Sequence, residues 1–345
     1  MSKKYIITII PIIIIIILGY VYFSAPEIDT EPIILSEKKE VKDTEVTEVE
    51  NAIIYDDVSL PAFAQKEFIG KDLVMGRVLA QDSLYTRYYI TYSSNGLKIS
   101  GIMNVPTQAD SAGKFPVLIL NHGFIDPAIY TNGRGLKREQ DYLAKQGYVV
   151  IHPDYRNHAE SDKDDSVDLG FRLAYAEDVV NAINAVKNSD LEFFDKENIG
   201  MLGHSMGGGV GLQIMTTFPD IAKAYVLFAP VSADARDNFD KWIRRSRPAA
   251  KEILEKHGEP EDSPDFWNSI SPNMYFDKIT NPVQYHHGTI DESVPIEWSA
   301  RAVEQMKSVG VDVEYNIYEN EPHEFINAWS TVMKRTTDFF DENLK

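Results

Sequence analysis

The sequence predicts an α/β protein: a mostly parallel, doubly wound sheet, opened by an antiparallel hairpin and carrying a small helical cap, behind an N-terminal transmembrane helix. Three observations carry this. Short apolar runs alternate with helix-compatible stretches from residue 115 to the C-terminus, the pattern of βα units. Asn95-Gly96 separates two strand-like segments, Tyr85 to Ser93 and Leu97 to Val105, which marks a tight hairpin. Residues 200–209, Gly-Met-Leu-Gly-His-Ser-Met-Gly-Gly-Gly, form a strand, a sharp turn and a helix start.

The N-terminus stands apart from this body. Lys3-Lys4 precede an apolar run from Tyr5 to Phe23 with six consecutive isoleucines, Ile12 to Ile17. Helical residues rise ~1.5 Å each, so a segment of this length approaches the ~30 Å hydrocarbon layer. The two lysines predict that residues 1–4 are cytoplasmic, residues 5–23 a single-pass anchor, and the rest of the chain outside. A cleaved signal peptide and a secreted product is the competing expectation. Residues 24–63 are acidic and poor in aromatics, as expected of an extended stalk.

From residue 64 the globular domain is expected. After the hairpin, Phe115 to Leu120 reads as a buried strand, followed by a helix near Leu136–Gln146, a strand at Tyr148–His152 and a helix near Phe171–Asn188. Strands at Ile199–Leu202 and Tyr225–Phe228 flank the helix after Ser205, and further strands lie at Pro282 to His287 and Val313 to Tyr318. Between Pro230 and Asn281 lie about fifty residues where a short loop would suffice. This insertion, about 232–277, holds helical pieces near Ala235–Ser246 and Pro248–His257. Its Trp242 and Ile243 are candidate pocket residues, and Arg244, Arg245 and Arg247 are candidates to read a substrate carboxylate.

Composition narrows the chemistry. The 345 residues include 43% hydrophobic residues, enough for one large core. A formal net charge of −19 argues against a nucleic-acid partner, which needs a basic footprint. With no cysteine, disulfides and thiolate metal sites are excluded. His286 and His287 are neighbours on a strand and point to opposite faces, so they make a poor ligand pair. No metal and no cofactor are expected.

The catalytic candidates emerge from order and placement. Gly203-His204-Ser205-Met206-Gly207 is a G-x-S-x-G turn that would expose the Ser205 hydroxyl. A serine needs a base to take its proton and a carboxylate to orient the base. Asp291 follows the strand ending at His287, and His323 follows the strand ending at Tyr318. All three therefore fall at the C-terminal edge of the sheet, where open α/β sheets place their sites. His122-Gly123-Phe124 follows the strand at 115–120, so the Phe124 and Met206 N–H groups are candidate oxyanion donors. His122 itself is expected to be structural.

These pieces resemble the α/β-hydrolase superfamily, and within it the catalytic domain of prolyl oligopeptidase-type serine peptidases and their single-domain esterase relatives. The carrying residues are His122-Gly123-Phe124, Gly203 to Gly208, His287 to Pro295, and His323-Glu324-Phe325. The resemblance covers roughly residues 84–345 and implies that the insertion sits over the active site. In Asp154 to Ser161, Asn157 and Ala159 stand where the family usually has glycines. The implied activity is hydrolysis of short peptides or small esters through an acyl-enzyme, a serine peptidase being slightly favoured over a carboxylesterase. A catalytically silent surface binding protein of the same fold is the alternative from another class.

Overall fold

The computed structural model describes residues 56–107 and 113–345. Among these, nine strands form a single sheet in the order β1-β2-β3-β5-β4-β6-β7-β8-β9. The strands are β1 (Gly70–Gln81), β2 (Tyr85–Ser94), β3 (Leu97–Pro106), β4 (Phe115–Asn121), β5 (Val149–Pro153), β6 (Phe194–His204), β7 (Ala224–Phe228), β8 (Val283–Gly288) and β9 (Val313–Tyr318). Strands β1, β2 and β3 are antiparallel and β3 joins β5 antiparallel, whereas every pairing from β5 through β4 to β9 is parallel. All residues of β4, β5, β7 and β8 are buried, as expected of strands covered on both faces.

Helices cover the two faces. Helices α2 (Lys137–Lys145) and α9 (Trp329–Leu344) bury Leu143, Val332, Met333 and Phe340 on one side. On the other, α3 (Leu173–Lys187), α4 (Met206–Thr217) and α8 (Ile296–Ser308) bury Val179, Ile183, Val210, Ile214, Val303 and Met306. The apolar residues of α2, α8 and α9 recur at three- and four-residue spacing, which gives each one face to bury, whereas α3 and α4 are buried over most of their circumference. The insertion folds into α5 (Ala235–Asn238), a π-helical turn at Phe239–Ile243, α6 (Ala249–His257) and α7 (Pro264–Ser269). It has its own core around the fully buried Trp267 and Phe239.

Two expectations are corrected. The globular body begins before residue 64, so the stalk expectation for 24–63 is too long at its C-terminal end. Residues Leu60–Ala64 form helix α1, capped by the Ser59 hydroxyl, which accepts from the Ala62 N–H at 3.2 Å. Phe63 is fully buried, with its ring 5.1 Å from Phe68 and 5.5 Å from Phe218. Two buried side chains anchor this turn, a signal that acidic composition averaged over forty residues conceals. The second correction is the long edge strand β1, which the sequence reading passes over. Three register shifts and a left-handed Asp72 break its alternation, and Val74 and Val78 are exposed on it. The expected tip at 1–4, the anchor at 5–23 and the stalk up to residue 55 lie outside the described residues. Among the described residues no helix is long and apolar enough to cross a membrane.

Candidate active site

Strand β6 delivers Ser205 to the turn before α4. Its backbone is strained, with φ 54° and ψ −118°. The strain is held by hydrogen bonds on both sides. The Ser205 N–H donates to the Phe228 carbonyl at 2.9 Å, and the Ser205 carbonyl accepts from Gly208, Gly209 and Val231 at 3.0, 3.2 and 3.1 Å. The flanking glycines are a steric requirement. A Cβ on Gly203 would lie 2.3 Å from the Gly207 carbonyl oxygen, and one on Gly207 would lie 2.0 Å from that of Asn121. Met206 opens α4, so its N–H has no intrahelical acceptor and is free for a ligand.

The acid and the base come from the loops after β8 and β9. These loops are laced together: Ile290 N–H donates to the Glu321 carbonyl at 3.2 Å, and Asn320 N–H to the Thr289 hydroxyl at 2.8 Å. A Cβ on Gly288 would lie 2.1 Å from the Glu321 carbonyl, so only glycine permits this approach. The result brings Asp291 and His323 together, with 2.7 Å between Asp291 Oδ2 and His323 Nδ1. The other carboxylate oxygen accepts from the N–H groups of Ser293 and Val294 at 2.8 and 2.7 Å. Burial pushes the Asp291 carboxyl up, but hydrogen bonds from His287 and His323 outweigh it. They hold the group well below the ordinary carboxylate range. Glu292 is exposed, and among the described residues it accepts only from the His323 backbone N–H, at 3.3 Å.

His287 is a site residue that sequence reasoning missed. Fully buried on β8, it places Nε2 3.1 Å from both Asp291 Oδ2 and the Val294 carbonyl, and Nδ1 2.7 Å from the Ser299 hydroxyl. Both neighbours of Nε2 are acceptors, so that nitrogen donates and the ring fixes Asp291 from below. His204 plays a similar supporting part: its Nε2 donates to the His323 carbonyl at 3.2 Å, and the two rings are 4.5 Å apart. Burial, and then the charge of His323, lower its pKa below the ordinary imidazole range. Among the described residues the Ser205 hydroxyl makes no hydrogen bond to His323. Such bonds are commonly loose without substrate and tighten in the complex.

The loop after β4 supplies the third wall. A Cβ on Gly123 would lie 3.2 Å from the Ser205 Cβ, so this backbone runs directly beside the turn, and the next N–H belongs to Phe124. His122 is buried and structural. It stacks between His152 and Tyr155, with ring centroids 5.3 and 4.3 Å away, and burial followed by the nearby His158 lowers its pKa to about 3. Asn157 and Ala159 adopt left-handed φ of 70° and 48°. The glycine-like loop shape therefore survives without glycine. Asn157 is held there by two 2.7 Å hydrogen bonds to the backbone of Asp164.

A cavity opens between Met206 and the insertion, with about 690 Å³ of empty space, part of it open to solvent. Trp242 and Ile243 line it. The arginine expectation is corrected for Arg244 and Arg245. Arg244 is turned away into ion pairs with Asp240 and Glu259 at 2.6 and 2.7 Å, and Arg245 is exposed. The π-helical turn sends residues 242–243 inward and 244–245 outward. Arg247 does not line the cavity but lies 5.0 Å from the Phe124 ring centroid. Arg172, some seventy residues earlier in the chain, does line it.

The prolyl oligopeptidase family model matches residues 134–345, more than half of the chain. The chain belongs to the prolyl oligopeptidase family. It is therefore a serine hydrolase, and the reading as a silent binding protein is set aside. The family's fold is borne out in solved structures. Acetyl xylan esterase 1 from Thermoanaerobacterium sp. aligns with a TM-score of 0.61 at 17% identity, over 84% of this chain and 95% of the esterase. The Pyrococcus horikoshii acylaminoacyl peptidase gives 0.62 at 21% identity, over 76% of this chain and 42% of the peptidase. At these identities the likeness concerns the fold. The uncharacterized peptidase YtmA of Bacillus subtilis is 26% identical over 256 residues, 73% of this chain and 92% of that protein. The mouse acylamino-acid-releasing enzyme is 21% identical over 235 residues, and this chain spans 31% of its length.

Proposed function

We propose that this prolyl oligopeptidase-family hydrolase cleaves short peptides or small esters through Ser205, His323 and Asp291. The observation that carries the reading is the 2.7 Å Asp291–His323 contact, set beside the strained Ser205 turn. Ser205 Oγ attacks the acyl carbon and its proton passes to His323 Nε2. Asp291 holds Nδ1–H and offsets the imidazolium charge. The Phe124 and Met206 N–H groups hold the oxyanion. Collapse expels the leaving group with the proton from His323, and water, activated by the same ring, frees the acyl group. The small cavity under the insertion suits compact acyl groups and not a folded protein chain. Peptidase chemistry is slightly favoured over that of a carboxylesterase, given the family and the peptidases among the relatives. A screen of p-nitrophenyl esters and peptide amides with varied acyl groups tests this. Turnover of small acyl substrates with no cleavage of intact folded proteins is expected, and efficient cleavage of a folded protein would refute the narrow site.

We further propose that residues 5–23 tether the enzyme to the cell membrane with its catalytic domain outside. The basis is the length and apolarity of that segment. The full chain should sediment with membranes, survive a high-salt wash and be released by detergent. A soluble protein whose mature N-terminus lies near Pro26 would instead mean a cleaved signal peptide.

A further inference from the structure

Two guanidiniums stand beside the candidate oxyanion loop of a chain whose formal net charge is −19. The Arg172 and Arg247 Cζ atoms lie 5.5 and 5.0 Å from the Phe124 ring centroid. One carboxylate, Asp168, serves both, each of its oxygens 3.8 Å from one arginine. That exceeds hydrogen-bond length. Asp168 is the carboxylate that both guanidiniums meet, and it meets each only through this long contact. Yet the two side chains are only 20% and 31% exposed. Burial lowers the Arg172 pKa, a sign that its charge is held against a desolvation penalty. Phe171 and Arg172 also hold left-handed φ of 50° and 62°, and both line the cavity beside Met206. Two partly buried cations that share one distant carboxylate, one of them strained and lining the cavity beside Met206 and both set against Phe124, form a receptor for an anion.

We propose that Arg172 and Arg247 bind a carboxylate carried on the acyl side of the substrate. The enzyme would then prefer monoesters or monoamides of dicarboxylic acids, or acyl groups with an acidic side chain. The inference rests on the Ser205 reading above. The acyl side follows from position. Arg172 and Arg247 sit against Phe124, and Arg172 lines the cavity with Met206; these residues carry the candidate donors to the acyl oxygen. The leaving group departs towards His323, which neither arginine touches. A guanidinium fork matches a carboxylate with two parallel N–H bonds, and Asp168 is too distant to saturate either fork.

The test compares mono-p-nitrophenyl adipate with p-nitrophenyl hexanoate, which share chain length and leaving group. The expected kcat/KM ratio favours the adipate about tenfold at low salt, the scale of one charge-assisted hydrogen-bonded pair. Arg172→Gln and Arg247→Gln should each bring the ratio towards one, chiefly through KM for the adipate. Arg172→Lys should keep part of the preference, and Arg245→Gln, at an exposed position, should leave the ratio unchanged. A third ester, the hexanoate of 4-hydroxybenzoate, carries its carboxylate on the leaving group and should gain nothing. No adipate preference in the wild type, an undiminished preference in both Gln variants, or a preference confined to the third ester would overturn the proposal. A fluorophosphonate label separates the two readings. Labelled protein that is blind to charge sinks this inference alone, whereas protein that neither labels nor hydrolyses any ester sinks the Ser205 reading beneath it.

Discussion

Ser205→Ala is expected to reduce turnover by about 10⁶, the scale seen when a triad serine is removed. The effect should be confined to chemistry. The turn is fixed by backbone hydrogen bonds to Phe228, Gly208, Gly209 and Val231, none of which involves the hydroxyl. Its glycines at 203 and 207 satisfy the close contacts with neighbouring carbonyls, and alanine is smaller than the side chain it replaces. The thermal midpoint should therefore move little while both ester hydrolysis and fluorophosphonate labelling vanish. A Ser205→Ala protein that still takes up the label would place the nucleophile elsewhere.

Asp291→Asn should lower turnover on the order of 10⁴, because an amide favours the wrong His323 tautomer and no longer offsets the imidazolium charge. The fold should largely persist, since the asparagine oxygen can still accept from Ser293 and Val294, as Asp291 Oδ1 does at 2.8 and 2.7 Å. Its neighbour provides the control. Glu292 is exposed and, among the described residues, meets only the His323 backbone, so Glu292→Gln should reduce kcat by less than about tenfold, the scale of one peripheral hydrogen bond. Equal losses in the two variants would mean that the acid has been misassigned. The measurement is kcat on one ester at a fixed pH for the two proteins beside wild type.

The identity of the candidate catalytic residues was legible because each carries a local signature. Ser205 lies in a glycine pattern that only a strand–turn–helix needs, and Asp291 and His323 each follow an apolar run readable as a strand. Less of their support could be read. His287 lies on the strand before Asp291 and looks like any buried strand residue; its hold on Asp291 depends on how the loop folds back over β8. The left-handed backbone at Ala159 was equally hidden, because alanine, unlike asparagine, announces no such conformation. The substrate wall divided in the same way. Trp242 and Ile243 could be expected from an apolar pair in the insertion, but the facing of the three nearby arginines could not. A π-helical turn shifts the phase of the side chains there, and ordinary helical periodicity cannot register it.

By itself, then, the sequence determined the α/β class, the parallel core, the insertion and the three candidate catalytic positions. Each is encoded by neighbours in the chain: hydrophobic period, turn residues and glycines with no room for a side chain. Only the tertiary structure decided that the body starts at α1, that β1 closes the sheet edge, that His287 supports Asp291, and that Arg172 and Arg247 share the flank of Phe124. Some of these contacts join segments tens of residues apart, such as Phe63 with Phe218 and Arg247 with Phe124, and others, such as His287 with Asp291, depend on how a loop folds back on its own strand; burial and charge act through space and leave no local pattern to read.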